Sequence, residues 1–403
     1  MSEPGCQRGG VAPALSALRQ VTPVVLASAI VVVAAALMTT RISLDLAVSG
    51  ASVSDVRLVV TGYPLGFILG CLTVRRLVER FGHGESFLVL TGLNVILALG
   101  FIVLHGPAAW FTLRLGSGFG MAAMFAIAES WITLDSRSDN RGALFSYYMV
   151  LSTLGTAVGP ALLVLPLPGS TAVYLLAAVI FAGAGLPLIL SGRMRPDGPV
   201  RKGGAEAARP LALLALLAAA PAAFVAGLQT GMTNMPFGVM VPIYAVRLGY
   251  TPAEAGTLVS LFALGGLFAQ WPVGWLSDRY QRRKILMAAA LMAATSCLAI
   301  LLLAHISAVV LFALVFVFGF SALSIYPLAV AYASSTLDHV FFVSLSSRLL
   351  LLHGFGSIIT PALSNDLMAR FGPSALFYLL GGATFVVGAF AILENPFNRS
   401  KET

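Results

Sequence analysis

Arg41, Arg114, Glu129 and Arg348 stand inside long apolar runs. A charged side chain at the centre of a membrane costs of order 3 kcal/mol on insertion scales, so each needs a cavity, a partner or an interface. A guanidinium supplies a fork of donors that can hold an anionic group or bias a nearby proton site. Arg114 fits that role or snorkels to the outer interface. Arg41 fits it too, or is tied to Asp45 one helical turn away. Glu129 follows Arg114 by fifteen residues, about 22 Å along one helix. Arg348 enters a later run at a similar depth. The two either pair across the molecule, or Glu129 carries a proton as the coupling step, or Glu129 caps the loop holding Asp135 and Arg141.

Uncharged candidates surround these four. Tyr63, Phe125, Tyr147, Tyr148, Tyr244, Trp271 and Tyr326 are rings suited to a planar solute, with packing as the competing reading. A seventh apolar run is interrupted by Gly231, Pro236, Gly238 and Pro242. Unwinding there would free carbonyls beside Gln229, Thr230 and Asn234. The alternative is a helix extending past the membrane. His353 is mid-run, a titrating group or a satisfied core residue.

The elements that must position these residues are read from composition. Hydrophobic residues make up 58% of the 403 and charged residues 10%, whereas a soluble domain carries about 25% charged. Most of the chain must face lipid. Apolar runs long enough to span fall near 21–46, 54–74, 85–105, 109–134, 142–165 and 171–192. A second set lies near 211–246, 252–276, 284–304, 308–332, 342–366 and 373–393. The expectation is an all-α membrane protein of twelve helices, with one half over 1–195, a basic linker over 196–209 and a second half over 210–403. The first run is too long for a cleaved signal core.

Charge orients the spans. With the amino terminus inside, 18 of the 24 basic residues fall on cytoplasmic segments, and only Arg57, Arg247 and Arg370 on the opposite face. Both termini are therefore expected in the cytoplasm of a cell bounded by this cytoplasmic (inner) membrane. The net charge of +8 reflects that topology and not nucleic-acid binding. A repeat is also visible. Glu79-Arg80-Phe81 is echoed by Asp278-Arg279-Tyr280, an offset of 199, and Gly155-x-x-x-Gly159-Pro160 by Gly356-x-x-x-Thr360-Pro361, an offset of 201. Two parallel six-helix repeats imply a transporter with its site at the midplane between them.

Gly274 to Arg283, with Asp278-Arg279 four positions after a Gly, resembles the cytoplasmic-loop signature of the major facilitator superfamily. Gln281 replaces its usual second Gly, and the first-half copy has Arg75 and Glu79 in place of Gly and Asp. Arg114-Leu115-Gly116-Ser117-Gly118 resembles the fourth-helix motif, whose Arg the family associates with proton coupling. Gly155, Gly159 and Pro160 resemble the fifth-helix element of antiporters. Ala128-Glu129-Ser130, Asn140-Arg141-Gly142, Gln270-Trp271-Pro272 and Tyr326-Pro327 look most like the YcaD-like branch. The resemblance implies a secondary transporter working by alternating access, with Asp278 and Arg279 in gating. It also implies a small-molecule substrate, H+ as coupling ion, the lipid bilayer as surroundings, and a monomer. A vitamin such as riboflavin, imported or carried by uniport, and a lipid or lysolipid flippase are the alternatives.

The sequence carries no phosphate-binding Gly-Lys-Ser/Thr loop, and its five histidines never pair at metal-ligand spacing. Cys6, Cys71 and Cys297 suit neither a disulfide framework nor a metal site. No cofactor, no metal and no enzymatic cluster is expected.

Overall fold

The computed structural model describes residues 11–136, 140–196, 213–336 and 342–394. The expected linker, Pro196 apart, and the basic residues Arg8, Arg137, Arg399 and Lys401 lie outside the described residues. Twelve long helices follow in order. The first six are α1 (Val11–Val48), α2 (Val53–Phe81), α3 (His83–Val103), α4 (Pro107–Asp135), α5 (Gly142–Val164) and α6 (Gly169–Ser191). The second six are α7 (Pro221–Arg247), α8 (Pro252–Arg279), α9 (Arg282–Leu303), α10 (Ala308–Thr336), α11 (Phe342–Phe371) and α12 (Ala375–Leu393). Among the described residues, ten helices are long and apolar enough to cross a membrane, or eleven counting α7 with the short arm Leu213–Ala219 before it. The helix α11 has 30 residues, about 45 Å of length, which is ample for a crossing.

Two devices of local sequence recur in both sets. Ser52 accepts from the Asp55 N–H at the start of α2 while Asp55 reaches back, and Thr251 and Glu254 do the same at the start of α8. These capping boxes satisfy orphan helix-end donors, and they too are 199 residues apart. The second device is close backbone approach at glycines. A Cβ on Gly62 or Gly70 of α2 would stand 2.6 or 2.5 Å from the carbonyl oxygen of Phe111 or Phe119 on α4. The helices α8 and α10 meet through Gly265 and Gly319 in the same way. In a bilayer, where no hydrophobic force drives helices together, such small-residue seams supply the packing.

Of the two readings of the interrupted seventh run, the structure takes the long helix and not the unwound one. The helix α7 is continuous from Pro221 to Arg247, through Pro236 and Pro242. Close packing explains it: Gly231 lies against the His353 backbone, and Gly356 of α11 lies against Leu228 and Met232 of α7. A neighbour at that range holds a helix through prolines that would open it alone. The bend lies earlier, where the arm Leu213–Ala219 meets α7 at 119°. The break within the second set falls in α10, between Ala322 and Ile325. Pro327 has no N–H for the Leu323 carbonyl. The hydroxyls of Ser321 and Ser324 turn back to the carbonyls of Val317 and Phe320.

Candidate functional site

A cavity of about 1260 Å³ lies between the two sets of helices, lined by α1, α2, α4 and α5 from the first and α7, α8, α10 and α11 from the second. Its depth is asymmetric. Lining residues reach Glu129, Phe145, Ser277, Asp278 and Ala331, within about two turns of the helix ends on the face with the basic loops. Toward the opposite face the lining stops at Thr40, Val60, Arg114, Thr156, Val259 and Pro361.

Beyond that blind end the sets are fastened together. Arg57 of α2 pairs with Asp366 of α11 at 3.3 Å. The Asn365 amide, fully buried, donates to the Val53 carbonyl at 2.9 Å and accepts from Arg247 at 3.3 Å. Pro160 of α5 abuts Gly256 of α8. Two of the three basic residues that break the charge bias, Arg57 and Arg247, thus belong to this seal.

Arg114 is 2% exposed and lines the blind end. One guanidinium nitrogen donates to the Thr39 hydroxyl at 3.1 Å, and the group lies 4.6 Å from the centre of the Tyr63 ring. Its Nε has no partner, and no described carboxylate pairs with it. Rings continue from there toward the mouth: Tyr63 to Phe67 at 6.4 Å, then Phe67 to Phe125 at 6.5 Å. Facing them are Asn234, whose buried Oδ1 is unpaired, Tyr326 and His353. The His353 ring is edge-on to Tyr326 and 3.3 Å from the Thr230 hydroxyl.

Of the residues singled out from sequence, Arg114, Tyr63, Phe125, Asn234, Tyr326, Glu129 and Asp278 are therefore brought to one cavity. Tyr148, His353, Pro236 and Gly238 line it as well, whereas the remaining candidates are elsewhere. Arg41 pairs with Asp45, which also accepts from Tyr174 at 2.7 Å, so its guanidinium is neutralised behind the cavity wall. Gln229 donates to Thr233 at 2.8 Å inside the protein, and Tyr244 packs edge-on against Phe377. Tyr147 points away; the lining face of α5 carries Phe145, Tyr148, Ser152 and Thr156, at helical spacing that marks it in the sequence. Gly155 and Gly159 seat α5 against Ala29, Val32 and Val33 of α1.

The gating residues are apart in this conformation. Glu129 is exposed at the mouth, and no ion pair joins it to Arg348. Asp278 is exposed, Arg279 sits over the Trp275 ring at 4.0 Å, and Gly274 faces open space. In the first-half copy Arg75 pairs with Glu79 at 2.8 Å within its own helix. Thr39, the partner of Arg114, was not marked by any motif.

A family model described as Major Facilitator Superfamily matches residues 24–341 and 219–403. The chain belongs to the Major Facilitator Superfamily. Like other members it is a multi-pass membrane transporter and not an enzyme. It is 26% identical over 360 residues to an uncharacterised MFS-type transporter of Enterobacter sp. (strain 638), covering 88% of this chain and 90% of that one. The uncharacterised MFS-type transporter YcaD of Salmonella typhi is 26% identical over 355 residues, with the same coverage. Among solved structures, the nucleoside transporter NupG superposes with a TM-score of 0.75 at 12% identity, over 93% of this chain and 98% of that one. A D-xylose-proton symporter superposes at 0.72 with 16% identity, over 96% and 99%. The facilitator fold is thus shared along nearly the whole chain.

Proposed function

We propose that this facilitator is a secondary active transporter that carries a small organic solute by alternating access, coupled to protons. The observation that carries the reading is the cavity between the helix sets, open at the basic face and sealed by Arg57–Asp366 and Asn365 at the other. Residues 1–195 and 210–403 act as two halves that rock about this cavity, with both termini in the cytoplasm and the structure in its inward-open state. Arg114, Tyr63, Phe125, Asn234 and Tyr326 bind the solute. Glu129, the acid on α4 at the mouth, takes the proton, while Asp278 and Arg279 close the cytoplasmic side in the other state.

Cys71 gives a native reporter, because it is exposed and lines the cavity while Cys297 is buried. In a Cys6→Ser background, an impermeant maleimide applied from the cytoplasmic side labels Cys71 in the inward-open state. The variant Arg57→Ala/Asn365→Ala removes the seal and shifts the population outward. Cytoplasmic labelling then falls about fivefold or more, and labelling from the other side rises. Labelling that stays one-sided and unchanged in the variant sinks alternating access.

A further inference from the structure

Arg114 is a charged group at the blind end of the cavity whose electrostatics are incomplete. It is nearly fully buried at the blind end, its Nε lacks an acceptor, and none of the described carboxylates forms an ion pair with it. The nearby Arg41 and Asp45 cancel each other. The blind end therefore holds one uncompensated positive charge in a low-dielectric wall. That is costly unless a ligand brings the counter-charge. Thr39 holds the guanidinium on one side and the Tyr63 ring supports it on another, which leaves its remaining edge for a planar oxyanion.

The walls define the rest of the ligand. From the guanidinium the rings of Tyr63, Phe67 and Phe125 form a ladder toward the mouth, the spacing at which offset or tilted rings interact. Arg114 and Phe125 are eleven residues apart on α4, about 16 Å, so a head group on Arg114 places a flat body of one or two rings on the ladder. Across from it, the unpaired Asn234 Oδ1 requires a donor. We propose that the solute is an organic monoanion with a carboxylate-like head bound by Arg114 and Thr39. Its planar ring lies on Phe67 and Phe125 and presents an N–H or O–H to Asn234. This assignment rests on the cavity being the substrate site of the transporter.

The test is binding to the purified full-length protein in uncharged detergent, read by thermal shift and titration with naphthoate, its neutral amide naphthamide, and non-planar cyclohexanecarboxylate. Naphthoate is expected to bind about tenfold or more tightly than either comparator. Arg114→Gln should bring the naphthoate to naphthamide ratio close to one, and Arg114→Lys should keep part of it. Asn234→Leu should weaken hydroxynaphthoate toward the affinity of naphthoate. Equal affinity for naphthoate and naphthamide in the unmodified protein, including no binding of either, overturns the proposal whether or not a variant folds. Stabilisation by phosphatidylglycerol but by no aryl carboxylate overturns the ring assignment. Cys71 labelling that alternates without an anion preference removes this proposal and leaves transport standing; an anion preference without alternation does the reverse.

Discussion

Arg41 and Arg114 are the same residue type on neighbouring helices, each a few turns from the sealed face, and the structure uses them in opposite ways. Arg41 has Asp45 one turn away, a spacing visible in the sequence, and Tyr174 adds a hydroxyl donor to the same carboxylate. Arg114 has no such neighbour on its helix, and the polar and ring partners that hold it, Thr39 and Tyr63, come from other helices. The sequence therefore distinguishes a locally paired charge from an unpaired one, while the long-range partners become visible only once the helices are packed. Glu129 raises the same issue at the mouth. If it takes the coupling proton, Cys71 labelling normalised to the unfolded protein depends on internal pH. In Glu129→Gln that dependence shrinks by about tenfold or more. An unchanged pH profile in the variant removes Glu129 from coupling.

At the scale of helices, spans and repeat were readable because apolar runs and offsets of about 200 do not depend on packing. Whether α7 breaks or continues was not readable. Gly231 and Pro236 announce weakness in an isolated helix, but the backbone of α11 lies against Gly231 and holds the turn. The helix α10 does break, just before Tyr326-Pro327, where Pro327 offers no N–H to the Leu323 carbonyl and Leu323, Ser324 and Tyr326 line the cavity. A proline in a span is thus no guide by itself to where the helix breaks. The glycine seam between α2 and α4 offers a test of the converse. Gly66→Leu drives a side chain into the Leu115 backbone and should lower stability by about 1–3 kcal/mol or more. The measurement is a melting curve in detergent; an unchanged Tm removes the seam from the account of the fold.

Seen whole, the molecule is a wedge-shaped gap closed along one edge. The two capping boxes start α2 and α8 on the sealed side, and the seal uses two of the few basic residues placed there. A water-accessible cavity reaching to Arg114 leaves only a thin partition between the two solutions. Across a membrane, an elementary charge is worth about 2.3 kcal/mol per 100 mV. Most of that voltage therefore drops across the partition, next to the unpaired guanidinium. If the halves rock as proposed, the partition moves to the other side of Arg114, and the empty carrier would transfer a positive charge relative to the field while an anion-loaded carrier would transfer none. Currents recorded from protein adsorbed on a supported membrane should then accompany the return of the empty carrier and vanish in Arg114→Gln. A single buried arginine would make membrane voltage set how fast the unloaded transporter resets.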